Sequence, residues 1–182
     1  MSAEDLARRA AAYNQTYYEQ TTGDAQRAAD AEAAFQARQQ ESLGHLQDFI
    51  DLARHYGAPQ LPVYIYEVVQ TGPTRRDGSY PTHSGHRLLG NGWIVRAPIP
   101  DPEMRGAGQG PVFVLENLLL AGTNLAPGFA VTVDYRIYGT GKGSVYDRPD
   151  EIKAWTEAAA GAVLRGPEEY VRWGDPGGIL WH

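Results

Sequence analysis

Hydrophobic residues are densest between Pro111 and Tyr138, in the stretch PVFVLENLLLAGTNLAPGFAVTVDYRIY. Two strand-like runs flank the turn-forming residues Gly122–Asn124 and Pro127-Gly128, which predicts a β-hairpin with a loop longer than two residues. The first run, 112–120, contains only two polar residues, as is typical of a central strand covered on both faces. The second run, 129–138, alternates strictly, so one of its faces should contact a core and the other water or a partner.

Proline and glycine divide the chain into two parts. Residues 1–57 contain no proline and three glycines, whereas residues 58–182 contain all twelve prolines and eighteen glycines. This shift predicts a helical arm over 1–57 and an α+β domain over 58–182. The boundary falls at Gly57-Ala58-Pro59, which has the usual order of a helix stop, glycine before proline.

Within the arm, the pattern predicts two helices. The first spans Ala3 to about Gln20, and Thr21–Asp24 is expected to break it and to cap the second, which runs from about Ala25 to Tyr56. The second half of that helix, from Leu43 onward, carries a proper apolar stripe, so we expect it to dock on the sheet. Its first half, rich in Ala and Gln, should either fold against the first helix or project toward a partner.

The second part of the chain reads as strands followed by helices. VYIYEVVQ at 63–70 and RLLGNGWIVRAPI at 87–99 are strand candidates, with Gly90–Gly92 marking a bulge or tight turn. The polar residues 71–86 between them predict a long loop, and a helix is expected from about Pro149. These elements predict an α+β fold: a mainly antiparallel sheet of about four strands with helices on one face, preceded by the helical N-terminal arm.

Composition narrows the functional classes. Apolar residues make up 42% of the chain and charged residues 21%, which is typical of a soluble globular protein. The net charge is −6 with no concentrated basic patch, so we expect no nucleic-acid partner. No stretch approaches the ~20 apolar residues of a membrane span, and the first ten residues lack the cationic start and apolar run of a signal peptide. We therefore expect a cytoplasmic protein without a membrane partner.

The residues around Lys142 suggest a phosphate-binding loop but do not match one. Gly139-Thr-Gly-Lys-Gly-Ser144 stands between a predicted strand and a predicted helix. A P-loop needs Ser or Thr directly after the lysine, where Gly143 stands, and a further glycine where Arg136 stands. A flexible connector is the favoured interpretation, and we expect no cofactor.

His83 and His86 form an H-x-x-H pair in the predicted 71–86 loop. Two imidazoles can begin a zinc site, but a third ligand is needed, and Asp77 is the nearest carboxylate in the sequence. Surface histidines without a metal are the favoured interpretation. With no cysteine in the chain, thiolate metal sites and disulfides are excluded.

Three carboxylates, Glu67, Glu116 and Asp134, stand among apolar residues of predicted strands. A buried carboxylate is costly unless it is paired, and Arg96 and Arg136 are the candidate partners. Structural ion pairs, or simple exposure in the case of Asp134, are the favoured interpretation. The alternative is a pair of catalytic carboxylates in a cleft.

Aromatic residues in the arm give the clearest indication of a contact surface. Tyr13, Tyr17 and Tyr18 lie in a polar predicted helix that has little apolar surface to bury them, and Phe35 is the only large apolar residue between 25 and 40. Tyrosine is favoured at interfaces because it combines contact area with a polar group. These four residues are the predicted binding residues.

The sequence therefore favours a protein–protein interaction or assembly module that uses the N-terminal arm, with another protein or a copy of itself as the partner. The alternative is a small-molecule-binding protein or a hydrolase- or isomerase-type enzyme. Its pocket would lie between sheet and helices, lined by Tyr64, Tyr66, Trp93 and the carboxylates.

Overall fold

The computed structural model describes residues 3–79, 81–100, 108–125 and 136–176. The helices are α1 (Ala3–His55), α2 (Pro149–Leu164) and α3 (Pro167–Gly174), with a single 3-10 turn at Val145–Asp147. The strands are β1 (Leu61–Gln70), β2 (Thr82–Arg96), β3 (Ile99–Pro100), β4 (Gly108–Leu115), β5 (Leu120–Leu125) and β6 (Arg136–Ile137).

The strands form one open antiparallel sheet in the order β1-β2-β4-β5-β6, with β3 also paired to β4. The described parts of β3 and β6 are two residues long, so four strands make up most of the described sheet. The α+β class, the antiparallel sheet and the helical N-terminal segment predicted from the sequence are confirmed.

The loop predicted at 71–86 is shorter in the structure, because the strand that follows it begins earlier than expected. Strand β2 begins at Thr82, which pairs with Gln70, so the connection comprises residues 71–81 only. The residues after Thr82 are polar, and their side chains carry no strand pattern. Their backbone groups nevertheless pair with β1, and this hydrogen-bonded pairing determines where β2 begins.

The predicted irregularity at Gly90–Gly92 is a β-bulge. Val63 pairs with Gly90 while Tyr64 pairs with Leu88, which leaves Leu89 without a residue opposite it. Gly90 has a φ of +151°, a conformation that glycine adopts far more readily than other residues. A Cβ at Gly92 would lie 2.9 Å from the Val114 carbonyl oxygen, so this position also requires close backbone approach.

The central hairpin turns earlier than predicted. A short loop at 116–119 joins β4 to β5, and residues 122–125, which were expected in the turn, belong to β5. The rest of the expected turn, 126–128, lies outside the described residues. The Leu118 amide donates to the Leu115 carbonyl (2.9 Å), and Leu118 has a φ of +65°. The Asn117 side chain accepts the Leu119 amide (3.2 Å), which favours this turn even without glycine.

Only the end of the predicted strand at 129–138 can be assessed. Arg136 and Ile137 form β6 and pair with Gly122 and Ala121. The residues from 126 to 135, which carry most of the predicted alternation, lie outside the described residues.

Helix α1 is one continuous helix of 53 residues, so the predicted break at Thr21–Asp24 is wrong. The Thr21 and Thr22 hydroxyls each donate to the carbonyl four residues earlier, both at 2.8 Å, and the helix continues through them. Gly23 in a helix costs about 1 kcal/mol relative to alanine, too little to end one. At 1.5 Å per residue the helix is about 80 Å long. Among the described helices, α1 included, none is apolar enough over a sufficient length to cross a membrane.

The hydrophobic core joins the last third of α1 to the sheet and the other helices. Leu46, Phe49, Ile50 and Ala53 are buried in this core, and α1 as a whole contacts mainly α2 and the 3-10 turn. Trp93–Val95 of β2 and Val112–Leu115 of β4 are buried in the same cluster. Both faces of these two segments are therefore covered. For β4 this agrees with the covered strand predicted at 112–120, although the strand ends at Leu115.

Three buried aromatic side chains fasten the surrounding segments to backbone groups of the core. The indole of Trp93 donates to the Ala58 carbonyl (3.1 Å), just after α1. The Tyr170 hydroxyl of α3 donates to the carbonyl of Ile94 in β2 (2.9 Å). The Tyr146 hydroxyl donates to the Leu118 carbonyl (2.9 Å) and accepts the Leu120 amide (2.7 Å), so it holds the β4–β5 turn. Burial raises the pKa of Tyr146 to about 12, which keeps it a donor.

Removing residues 1–30 should leave stability unchanged, because the side chains described there bury almost no surface. The urea-derived free energy of unfolding, measured at low protein concentration, should match the full chain within about 0.5 kcal/mol. Removing residues 1–43 also deletes Phe35 and Ser42, which are buried, and should cost about 3 kcal/mol or more. Equal losses from both deletions would contradict this division of the helix.

The Tyr146→Phe variant should destabilise the fold by about 1–3 kcal/mol, because it leaves the buried Leu120 amide without its acceptor. Tyr64→Phe, at a tyrosine that is 41% exposed, is the matched control and should change stability by less than about 0.5 kcal/mol. Chemical denaturation of both variants provides the comparison. If the two variants unfold at the same denaturant concentration, Tyr146 does not hold the turn.

Candidate interaction surface

The first part of α1 is exposed around its whole circumference. We call residues 4–34 the exposed half and residues 35–55 the docked half. From Ala7 to Ala34 every residue except Gly23 is exposed. Polar pairs along this half, such as Asp5 with Arg8 (3.0 Å) and Gln15 with Glu19 (3.0 Å), support the helix locally.

Three of the four predicted binding residues are large aromatic side chains on this exposed half. Tyr13 is 72% exposed, Tyr17 56% and Tyr18 68%. Tyr13 and Tyr17 are four residues apart and share one face. The Tyr17 and Tyr18 rings meet edge to face, with centroids 6.1 Å apart. Tyrosines in such numbers on a free helix are not needed for its stability, and they are enriched at protein interfaces.

The tyrosine face, which we define by Tyr13 and Tyr17, continues the face that the docked half buries. Tyr17, Phe35 and Ala53 are spaced 18 residues apart, which equals five turns of 3.6 residues. Tyr13 and Phe49 are 36 residues apart, or ten turns. Phe35, Phe49 and Ala53 are all buried. The exposed half therefore presents, without a covering layer, the same side of the helix that packs against the core further along.

The sequence analysis counted Phe35 among the predicted binding residues, but it does not lie on the exposed half. It is buried, 7% exposed, and the Lys142 ammonium lies 5.6 Å from its ring centroid. It lies on the same side of the helix as Tyr17 but belongs to the docked half, so it is not part of the exposed surface.

We call the described residues from 58 onward the body. A group of polar contacts fixes the helix where the exposed half meets this body. We call Glu32, Arg38, Gln39, Lys142 and Asp147 the root cluster. Arg38 Nε lies 2.7 Å from Asp147 Oδ1, and Lys142 Nζ lies 2.8 Å from Glu32 Oε2. The Gln39 amide also donates to the carbonyl of Thr140. Together with the buried Phe35 ring, these contacts set the direction in which the exposed half leaves the body.

The root cluster also accounts for the glycine-rich loop at 139–144. The Gly143 amide donates to Asp147 Oδ2 (2.9 Å), so a carboxylate of the chain itself satisfies this donor. Helix α2 begins with Pro149, Asp150 and Glu151, and acidic residues in a first turn disfavour a bound anion. In the structure this loop contacts α1 through Thr140 and Lys142.

His83 and His86 lie on β2, opposite Val69 and Tyr66 of β1. Because they are three residues apart in a regular stretch of strand, they lie on opposite faces of the sheet. Asp77 accepts bonds from the amide (2.9 Å) and hydroxyl (2.7 Å) of Ser79. In the described part of the chain, no group of three potential metal ligands is present.

Of the three candidate carboxylates, only Glu116 has a side chain that the structure describes. Glu116 is exposed in the β4–β5 turn, with its Oε1 3.2 Å from Arg54 Nη2. Glu67 lies on β1 opposite Gly85, and its side chain is not among those described. Asp134 falls among the residues not described.

The structure describes the surroundings of Arg96, Trp93 and Tyr64, and of Arg136 it describes only the backbone. Arg96 lies over the Trp155 ring (4.9 Å) and donates to the Gly110 carbonyl (3.1 Å). Arg136 forms part of β6. Trp93 is 2% exposed and fully packed, whereas Tyr64 is 41% exposed. These environments do not place both aromatic side chains in a single pocket.

The sequence did not reveal the root cluster. Its partners are separated by about a hundred residues along the chain, as for Arg38 and Asp147. Charged residues of opposite sign are common on any surface, and the pairing depends on α1 passing beside the 139–147 segment. Phe35, as the one large apolar residue in an Ala- and Gln-rich stretch, was the available signal that this part of the helix touches the body.

Comparison with protein-family models, with curated proteins and with solved structures gives no match for this chain. Its function must therefore be inferred from the geometry of the chain itself.

Asp147 should make stability dependent on acid pH. The Gly143 amide, and next Arg38, lower the pKa of Asp147 below its ordinary value. A lowered folded-state pKa means that the ionised group stabilises the fold above its unfolded pKa of about 4, and that this contribution is lost as pH falls through the folded value. At pH 7, the urea concentration at the midpoint of unfolding should therefore be higher for the wild-type chain than for Asp147→Asn.

The gap between wild type and Asp147→Asn should narrow as pH is lowered from about 5 toward 2. In the Arg38→Gln variant, which lacks one of the two main partners of Asp147, the change in urea midpoint that Asp147→Asn produces should be smaller than in the wild-type chain. A difference that stays constant from pH 7 to the acid limit would show that Asp147 does not stabilise through its charge.

Proposed function

We propose that this protein is a protein-interaction or assembly module, and that its contact surface is the exposed half of α1. One observation carries the proposal: Tyr13, Tyr17 and Tyr18 are 56–72% exposed on a helix that is anchored to a folded body at its other end. The body supplies stability, and the exposed half supplies reach and contact area.

The charges of the exposed half favour a protein partner. Between residues 4 and 34 the sequence has six carboxylates and three arginines, so the surface is mixed and slightly acidic. Nucleic acid would require a concentrated basic stripe. Aromatic side chains at i and i+4 on one face of a helix fit the helix-in-groove or helix–helix type of recognition.

The anchoring of α1 adds to its value as a binding element. A helix that is already formed loses less conformational entropy on binding than a segment that folds on contact. The root cluster fixes the helix direction, and the local polar pairs keep the exposed half helical without a partner. The exposed half can therefore meet a partner as a preorganised rod.

The enzyme alternative receives no comparable support. Among the described residues, Glu116 is exposed in a turn and Trp93 is packed in the core, so they do not face a common cavity. A single function is therefore proposed.

Site-specific photo-crosslinking in cells of the source organism tests the proposal. A photoreactive phenylalanine at position 17 of the full chain should give a discrete protein adduct, and Tyr13→Ala in the same chain should reduce its yield several-fold. The matched control places the same group at Tyr56, which is 53% exposed but lies beyond the docked half. No discrete adduct at position 17, or one as strong with Tyr13→Ala, would contradict the proposal.

A further inference from the structure

The tyrosine face cannot be covered by the docked half of the same helix. Because α1 is unbroken from Ala3 to His55, the two halves lie end to end and do not fold onto one another. The distance along the axis from Phe35 back to Tyr13 is about 33 Å at 1.5 Å per residue. The surface that covers Tyr13 and Tyr17 must therefore be sought beyond α1 itself.

The charged residues beside the tyrosine face are placed so that acidic residues of one copy can stand opposite basic residues of a second copy. At 100° per residue, Asp5, Arg9 and Arg27 lie on one flank of the face, and Asp24 lies close to its midline. Asp5 and Arg27 are each eleven residues from Thr16, one on either side of it. A two-fold axis that pairs two such helices antiparallel brings the same flank of each together, so Asp5 of one copy would stand opposite Arg27 of the other.

We propose that the tyrosine face binds the same face of a second copy of this chain, as an antiparallel helix pair centred on Thr16. This inference rests on the proposed function and specifies its partner. Residue i of one copy lies at the level of residue 32 − i of the other. The pair therefore contains two Asp5–Arg27 ion pairs between the copies, one on each side of the centre. Asp24 of each copy lies within one residue of the level of Arg9 in the other.

The tyrosines interdigitate in this register. Relative to Thr16, Tyr13 lies three residues before the centre and Tyr17 one residue after it. The two copies therefore place four rings at −3, −1, +1 and +3 residues, about 3 Å apart along the axis. Alternating rings from the two helices fill the centre of the pair, which is the arrangement of side chains that helix packing requires.

A parallel pair in register is disfavoured. It would set Asp24 beside Asp24 near the midline of the contact, and like charges at close range repel. It would also bring both folded bodies to the same end. The antiparallel pair separates the two Phe35 positions by about 38 residues of helix axis, roughly 57 Å, so the bodies do not collide.

Charge-swap mixing of the full-length protein tests the pair. Sedimentation equilibrium at low salt should show a concentration-dependent wild-type dimer, because ion pairs on an exposed flank are strongest where screening is weak. Asp5→Arg and Arg27→Asp each set like charges opposite one another in their own dimers. Each variant alone should raise the dimer dissociation constant at least tenfold. An equimolar mixture should restore it to within about threefold of wild type.

Arg8→Asp is the matched control. It makes the same charge change as Arg27→Asp. Each of the two changes breaks an i,i+3 ion pair within the helix, Arg8 with Asp5 in one case and Arg27 with Asp24 in the other. Position 8 lies on the side of the helix away from Tyr13 and Tyr17, so this variant should dimerise like wild type. Circular dichroism checks that all variants remain helical.

A wild-type chain that stays monomeric at all concentrations would overturn the inference. Dimerisation that the mixture fails to restore, or that Arg8→Asp weakens as much as Arg27→Asp, would overturn the antiparallel register. A monomeric chain that still gives an adduct with another protein at position 17 would leave the proposed function standing and refute only the self-pairing. A monomer without any adduct would refute both.

Discussion

The unbroken backbone of α1 is the constraint on which the rest depends. A helix repeats its faces every 3.6 residues, so the position of the docked half determines which way every residue of the exposed half points. The burial of Phe35, Phe49 and Ala53 fixes the direction of Tyr13 and Tyr17 some 18 to 36 residues away. The tyrosine face is thus a consequence of core packing, transmitted along a rigid element.

That transmission requires the body to hold the docked half firmly, and two kinds of contact do so. The core contributes apolar burial from Leu46 onward, which is non-directional. The directional contacts are polar: Arg38 with Asp147 and Lys142 with Glu32 at the root, and the indole of Trp93 on the Ala58 carbonyl just after the helix. Exposed ion pairs contribute little to stability by themselves. Here their effect is to select one orientation.

Local signals in the sequence predicted the elements well and their limits poorly. The absence of proline before Pro59 predicted the helical segment, and Gly90 marked the bulge because only glycine readily adopts its backbone conformation. The break at Thr21–Asp24 was wrong because threonine and glycine lower helix propensity by amounts that a long helix tolerates. The hairpin turn was misplaced because Leu118, with its positive φ, carries no turn signal in its side chain. Of the candidate site, the exposed tyrosines were identifiable, whereas the root cluster depends on contacts about a hundred residues apart.

A distance between spin labels at Ala12→Cys and Ala37→Cys tests the continuity of α1 most directly. The chain has no cysteine of its own, and both positions are exposed on the side away from the tyrosines. Electron paramagnetic resonance, with the labelled protein diluted into unlabelled chain, should give one narrow distribution near ~38 Å, that is, about 25 residues at 1.5 Å each. A broad distribution, or one centred below about 20 Å as two helices packed side by side would give, would contradict the continuous helix and the surface it presents.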